Sequence, residues 1–232
     1  MATSTLTSVA YGAQHLSMLV PAQLAQRVPR RILGRRASGA RPSRHELQAL
    51  HGRLRDLFER DLADADAGRY PTSLLFQVPV SAYAKRLPRL FAQIPGTLRR
   101  RDREAWRELP EEADPRSYPP YFRRTFHWQA DGYLSRRSAQ LYDVGVEFLF
   151  AGTADVMRRR VTAEVSRFVD ADGGARGKRM LDVACGTGRT LAMTHAARPD
   201  LKLYGLDLSP YYLEEAAEQR RVRDYLFAGV VL

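Results

Sequence analysis

The stretch that decides the fold is LDVACGTGRTLAM, residues 181–193. A short apolar run leads directly into two closely spaced glycines, Gly186 and Gly188. Short apolar runs bounded by glycine are typical of buried strands, and paired glycines allow a tight turn. The stretch therefore predicts a strand, a tight turn and a helix of roughly ten residues that ends near Arg198-Pro199.

A second strand follows in LKLYGLDLS, residues 201–209. Ser209 and Pro210 then supply an N-cap and a first-turn proline for a helix in SPYYLEEAAEQRR. A strand, a helix and a second strand in this order predict a parallel pair with a helical crossover. This unit opens a doubly wound α/β sheet, which is the expected fold class.

The glycine turn has two of the three glycines of a dinucleotide-binding fingerprint. Leu191 stands where the third glycine would permit close packing of helix and strand. This departure argues against a nicotinamide dinucleotide.

The same turn resembles the S-adenosylmethionine site of class I methyltransferases, because Asp182, the small Ala184 and both glycines follow that family's pattern. The resemblance implies S-adenosylmethionine as cofactor, lying across the turn. It implies that Asp207 accepts hydrogen bonds from the ribose, that Asp182 shapes the methionine-amine end, and that Leu208 lies near the adenine. The cofactor-binding residues expected on this basis are Asp182, Ala184, Gly186, Thr187, Gly188, Asp207 and Leu208.

Plainer interpretations of these residues stay open: the glycines in an ordinary tight turn, and Asp207 as an exposed carboxylate at a strand end. Cys185 is the only cysteine, which excludes an intrachain disulfide and a cysteine-based zinc cluster and favours a reducing compartment. We expect it to pack beneath the turn, because methyl transfer needs no enzyme thiolate. No catalytic residue and no metal ligand is assigned.

The preceding residues predict helices. Ser43 and Glu46 have the spacing of a capping box, and the helix that they start should end near Gly68. Two shorter helices, 81–93 and 97–108, are expected on either side of Pro95-Gly96, followed by a proline-rich loop over 109–121.

Two further helices are expected before the first strand. The first should bury Leu141, Val144, Phe148 and Leu149. The second should start near Thr153 and end at residues 172–174. Its expected apolar face consists of Met157, Val161, Val165 and Phe168.

An aromatic segment precedes these helices. TFHWQADGYLSRRSAQLYD, together with GTADVMRRR, resembles the helical N-terminal part of an uncharacterised methyltransferase subfamily. His127, Trp128, Gln129 and Tyr133 are candidates to close the pocket or touch the acceptor. The alternative is that they only pack the helices against the sheet.

Charge divides the chain further. The formal net charge is +11, and residues 1–45 contain no Asp or Glu. This favours a basic arm of a cytoplasmic protein, partly helical and otherwise mobile; the alternative is an organelle transit peptide. No apolar run is long enough to span a membrane.

Three parts are therefore expected. Residues 1–42 form the basic arm, residues 43–176 a helical region that can act as a lid, and residues 177–232 a partial Rossmann-like domain. The resemblance implies a sheet of seven strands, so later strands would be missing. Two interpretations of YLFAGVVL stay open: a third-strand position, or an unnatural end produced by truncation or a shifted reading frame. Such a chain would be unstable, inactive or self-associating through its incomplete sheet.

The function implied by the resemblance is methyl transfer to an unknown acceptor, a small molecule rather than a nucleic acid. One alternative is a noncatalytic interaction protein derived from a methyltransferase. Another is RNA binding through Arg99, Arg100, Arg101, Arg103 and Arg107. Acidic residues that interleave with these arginines favour a solvated helix instead.

Overall fold

The computed structural model describes residues 5–16, 43–78, 80–103, 105, 107–111, 114–125, 131–219 and 226–229. The helices are α1 (residues 5–16), α2 (Arg44–Asp66), α3 (Val80–Asp102), α4 (Arg136–Leu149), α5 (Ala154–Ala171), α6 (Arg189–Ala197) and α7 (Pro210–Glu218). The strands are β1 (Arg179–Val183), β2 (Lys202–Asp207) and β3 (Leu226–Gly229). Short 3-10 helices occupy Thr72–Phe76 and Pro115–Ser117. The chain is thus a helix-rich α/β fold, consistent with part of a methyltransferase domain.

The three strands form one parallel sheet in the order β1-β2-β3. Helix α6 connects β1 to β2, as the glycine turn predicts, and α7 begins after the Ser209 cap with Pro210 in its first turn. The carboxyl ends of the strands therefore share one edge, which is where ligands bind in sheets of this kind.

One face of this sheet is covered by helices. Met180 and Leu203 are paired in register and pack with Val169 of α5 and Leu191 of α6. On the opposite face Leu181 is 58% exposed and Val183 is 66% exposed. Parallel sheets are ordinarily covered on both faces. The described residues thus cover only one face of β1.

The start of the helical region follows its sequence. The Ser43–Glu46 capping box is present, and α2 ends before Gly68, whose φ is +70°. Helix α1 lies within the expected basic arm, but Tyr11 is buried against Tyr70 in the core. Residues 5–16 are therefore packed, whereas residues 17–42 lie outside the described part.

Helix α3 corrects one expectation. It runs unbroken from Val80 to Asp102 with Pro88 and Pro95 inside it, where two helices were expected. A proline inside a helix costs about 3 kcal/mol. Packing outweighs this cost: Leu87 and Leu90 contact the core around Leu141, and the Phe91 ring lies 5.6 Å from that of Phe148.

Helix α5 differs from the expectation for its buried face. The expected apolar face is largely exposed, with Phe168 66% and Val161 49% exposed. Leu149 of α4 is likewise exposed rather than buried. The buried side of α5 carries Asp155, Val156, Arg159, Thr162, Ala163, Ser166 and Val169. Its polar members are stabilised by partners on other elements, for example Ser166, whose hydroxyl donates to the Arg69 carbonyl over 2.7 Å.

Candidate functional site

The turn after β1 places three residues in the left-handed region. The φ angles are +65° at Ala184, +56° at Gly186 and +70° at Gly188. Glycine adopts such angles freely, whereas alanine is strained there. Two amides, of Ala184 and Cys185, donate to the Leu206 carbonyl over 2.7 and 3.1 Å. The turn is thus tied to β2, and its two glycines leave its backbone without Cβ atoms at Gly186 and Gly188.

Asp207 closes this arrangement at the end of β2. The Gly186 amide donates to Oδ2 of Asp207 over 2.8 Å, and the Ser209 amide donates to Oδ1 over 2.8 Å. An ionised carboxylate has about four acceptor positions. Two of them are filled by these amides, so acceptor capacity is left for hydroxyl donors.

Asp182 lies beside this carboxylate. It is half-buried, and its pKa is raised by burial and then by the negative charge of Asp207. Within the described ranges, the ion pairs involve other carboxylates and neither of these two. The edge of the sheet therefore carries two carboxylates that no described basic side chain pairs with, and this favours a cationic ligand.

Three tyrosines form a wall beside the turn, named here the tyrosine wall: Tyr133, Tyr142 and Tyr212. The Tyr142 and Tyr212 ring centroids lie 5.1 Å apart, and those of Tyr133 and Tyr212 lie 5.5 Å apart. A Cβ added to Gly186 would lie 3.8 Å from both Tyr142 and Tyr212. Tyr212 is buried, whereas Tyr133 and Tyr142 are half-buried, and aromatic rings at such a position favour cations.

The turn is also held from the helical side. Thr187 is buried, and its hydroxyl donates to Oδ1 of Asp143 in α4 over 2.9 Å. Nε of Arg189 donates to Oδ1 of Asp155 in α5 over 2.6 Å, and its Nη2 donates to Oδ2 of the same carboxylate. The Thr187 side chain thus faces the helices, and the residues around it are fixed by α4 and α5.

Burial and charge perturb the acids of this group. Burial disfavours ionisation of Asp155, but the hydrogen bonds and charge of Arg189 outweigh it and lower its pKa to about 2. Burial raises the pKa of Glu147 to about 7, and the Asp155 charge adds to the rise. Oε1 of Glu147 accepts from the Asp155 amide over 2.7 Å. Ionised Asp155 thus lies beside a carboxyl group that titrates near neutrality.

Sequence reasoning missed Asp143, Asp155 and Arg189. A signal existed, because the buried polar residues Asp155, Arg159, Thr162 and Ser166 recur at helical spacing. The apolar stripe on the other side of α5 has the same period, and apolar periodicity alone predicts that this stripe is the buried face.

The remaining predicted residues fall as follows. Cys185 is buried with the core beneath the turn, and burial, then the charges of Asp207 and Asp182, raise its pKa to about 12. This agrees with a packing role. Leu208 is half-buried and follows Asp207. His127, Trp128 and Gln129 lie outside the described residues, as do the side chains of Arg99, Arg100 and Arg101.

Neither a metal site nor a membrane span emerges from the described residues. No group of three or more His, Cys, Asp or Glu side chains there has the arrangement to hold a metal ion. None of the described helices combines the length and apolar character that crossing a membrane requires.

Comparison with known families supports the resemblance. Residues 143–230 match the ubiE/COQ5 methyltransferase family, a class I S-adenosylmethionine-dependent methyltransferase family. The predicted resemblance is thereby confirmed for this segment, which begins within α4 and includes Asp143, Asp155 and the glycine turn. No curated protein and no solved structure matches the chain.

Proposed function

We propose that this chain binds S-adenosylmethionine at the glycine turn and transfers its methyl group to a small-molecule acceptor. The observation that carries the proposal is the pair of carboxylates, Asp182 and Asp207, beside a glycine turn and the tyrosine wall; within the described ranges neither carboxylate has an ion-pair partner. The ligand carries a positive sulfonium and a positive ammonium group, so this charge arrangement suits it. The family match over residues 143–230 supports the same assignment.

Each residue would hold a different part of the cofactor. Asp207 has acceptor positions beyond those used by the Gly186 and Ser209 amides, and these suit the two ribose hydroxyls. Asp182 suits the ammonium group, and Leu208 suits the adenine. The backbone from Ala184 to Gly188 allows close approach, because its glycines carry no Cβ.

The reaction asks little of the side chains. When bound, S-adenosylmethionine supplies a methyl group that its sulfonium already activates. The tyrosine wall would hold the cation and exclude water, so that alignment of the acceptor provides most of the acceleration. Burial and the Asp207 charge raise the pKa of Tyr133, which keeps its hydroxyl protonated. Tyr133 is therefore suited to donate a hydrogen bond rather than to act as a base.

The test is isothermal titration of the full chain with S-adenosylmethionine. Asp207→Asn removes the charge and one of the two oxygens that accept from the Gly186 and Ser209 amides, and Gly186→Ala adds a Cβ at a φ of +56°. We expect each variant to weaken binding at least about tenfold. The matched control is Asp200→Asn, which neutralises an exposed carboxylate just before β2 and should leave affinity unchanged. A wild-type chain that is folded by circular dichroism and gives no saturable heat would contradict the proposal.

A second candidate is a noncatalytic protein that self-associates through β1. The observation that favours it is the apolar face of Leu181 and Val183 on a strand that, among the described residues, pairs only with β2. Sedimentation velocity should then show a dimer that Leu181→Ser with Val183→Thr converts to a monomer. Val161→Thr, a change at an exposed apolar position of α5, is the control. A monomeric wild type would exclude this candidate.

A further inference from the structure

A cavity of about 560 Å³ lies between the loop after α3 and the residues that follow Pro115–Ser117. Its polar lining is Arg107, Glu111, Arg123 and Arg124, and its apolar lining is Leu109, Pro110 and Pro120. The volume lies within the range of about 300–1,000 Å³ that small-molecule sites occupy. The cavity is therefore large enough for a small ligand.

The charge of this cavity is unbalanced. Among its described lining residues, three are arginines and one, Glu111, is acidic. In the described part of the chain, ion pairs are made by other arginines and not by these three. Nε of Arg123 donates to the Tyr118 carbonyl over 2.6 Å, which holds this side chain while its other N–H groups stay available.

The chemistry of the lining defines the ligand class. Guanidinium groups bind carboxylates and phosphates through paired hydrogen bonds. Leucine and proline beside them favour an apolar body attached to that anionic group. The cavity thus suits a small apolar or aromatic acid better than a neutral molecule.

The position of the cavity relates it to the glycine turn. Phe122 immediately precedes Arg123, and its ring lies 5.6 Å from that of Tyr133 in the tyrosine wall. The segment is fixed close to α4, because a Cβ on Gly132 would lie only 2.5 Å from the Arg124 carbonyl oxygen. The lining residue Arg123 thus directly follows a ring that packs against the tyrosine wall beside the glycine turn.

We propose that this cavity binds the anionic group, carboxylate or phosphate, of a small apolar or aromatic molecule that is the methyl acceptor. The acceptor role rests on the proposed function, whereas anion binding by the cavity does not. The acceptor would place its charge among Arg107, Arg123 and Arg124 and extend its apolar part toward Phe122 and Tyr133.

The experiment titrates the full chain at about 0.15 M salt with benzoate, phenyl phosphate and the neutral analogue benzyl alcohol. We expect saturable binding of at least one anion and none of benzyl alcohol. Arg107→Gln and Arg124→Gln should each weaken that binding about tenfold. Arg116→Gln, whose side chain is 95% exposed and pairs with Asp114, should change it less than about twofold. Binding of benzoate alone assigns a carboxylate, and binding of phenyl phosphate alone assigns a phosphate.

Several results would overturn the proposal. They are the absence of saturable binding by either anion, equal binding of benzyl alcohol, or a loss in Arg116→Gln as large as in the cavity variants. S-adenosylmethionine is titrated into the same samples. Anion binding without cofactor binding would refute the proposed methyl transfer and the acceptor role, while the anion site itself would stand. Cofactor binding without anion binding would refute only the cavity assignment.

Discussion

Two buried networks of charged side chains meet on α5, one turn apart, and they differ in charge balance. In the first, Arg159 donates from Nε and Nη2 to Asp61, and both side chains are fully buried. The hydroxyls of Tyr11 and Tyr70 also donate to this carboxylate. One carboxylate is thus matched by one guanidinium and two neutral donors.

The second network has surplus acid. The carboxylates of Asp143, Glu147 and Asp155 share two guanidinium groups, those of Arg158 and Arg189. Among the described residues these carboxylates outnumber the guanidinium groups by one, which agrees with the raised pKa of Glu147.

The networks also differ in what they touch. The first joins α1, α2 and the carbonyl of Leu74, and among the described residues it makes no hydrogen bond to the glycine turn. The second holds Thr187 and Arg189, on either side of Gly188. Similar buried ion pairs therefore have different roles: the first network stabilises helix packing, and the second positions the turn.

The substitution that should reduce stability most is one that disrupts the first network. Asp61→Ala leaves the Arg159 guanidinium buried without a counter-charge, so we expect the free energy of unfolding to fall by about 3–5 kcal/mol. Urea denaturation measures this change. Asp56→Ala, at an exposed position of the same helix, should change it by less than about 0.5 kcal/mol. Equal stability of the two variants would show that the first network is not a main source of stability.

Much of the fold was predictable because its signals are local. The glycine pair, the apolar run before it and the Ser209-Pro210 cap each act within a few residues, and β1, α6, β2 and α7 follow from them. The continuity of α3 through Pro95 was not predictable, since it depends on contacts such as Phe91 with Phe148.

The candidate site likewise has a part that local sequence signals predict and a part that depends on distant partners. The contact of Asp207 with Gly186 joins the two motifs that the family resemblance singled out. The prediction for the buried side of α5 is wrong because the buried charge of Arg159 is neutralised by Asp61, which lies 98 positions away in the sequence. The hydroxyl of Thr187, a predicted cofactor-binding residue, bonds to Asp143, which lies 44 positions away in the sequence. Local periodicity carries no information on such partners.

The pH dependence of stability tests the difference in charge balance between the two networks. The pKa of Glu147 rises from 4.5 to about 7 on folding, so its stabilising contribution is complete below pH 4.5 and is lost as pH rises toward 7. Relative to Glu147→Gln, the wild type should lose about 2–3 kcal/mol of unfolding free energy over this range. Burial and then Arg159 lower the pKa of His15 to about 4, which gives the opposite slope. His15 is common to both proteins, so its contribution cancels in the difference.

The control for this titration is Glu164→Gln, an exposed substitution on α5. Its stability should follow the wild-type pH curve in parallel. Urea denaturation at each pH from 4 to 8 supplies the values. If Glu147→Gln also runs parallel to the wild type, the surplus acid does not reside on Glu147 and the proposed difference between the networks fails.

The substitution with the least predicted effect distinguishes positioning of the glycine turn from stabilisation of the whole fold. Asp155→Asn keeps the shape but removes the charge that holds Arg189, so the turn loses part of its support. We expect the dissociation constant for S-adenosylmethionine to rise about tenfold, equivalent to about 1.4 kcal/mol. Asp61→Asn makes the same chemical change in the first network and should leave the dissociation constant of the folded protein unchanged. Both are measured by isothermal titration at a temperature where circular dichroism shows each variant folded. If both variants lost affinity equally, the loss would follow from reduced overall stability. A loss confined to Asp155→Asn would show that Asp155 positions the turn.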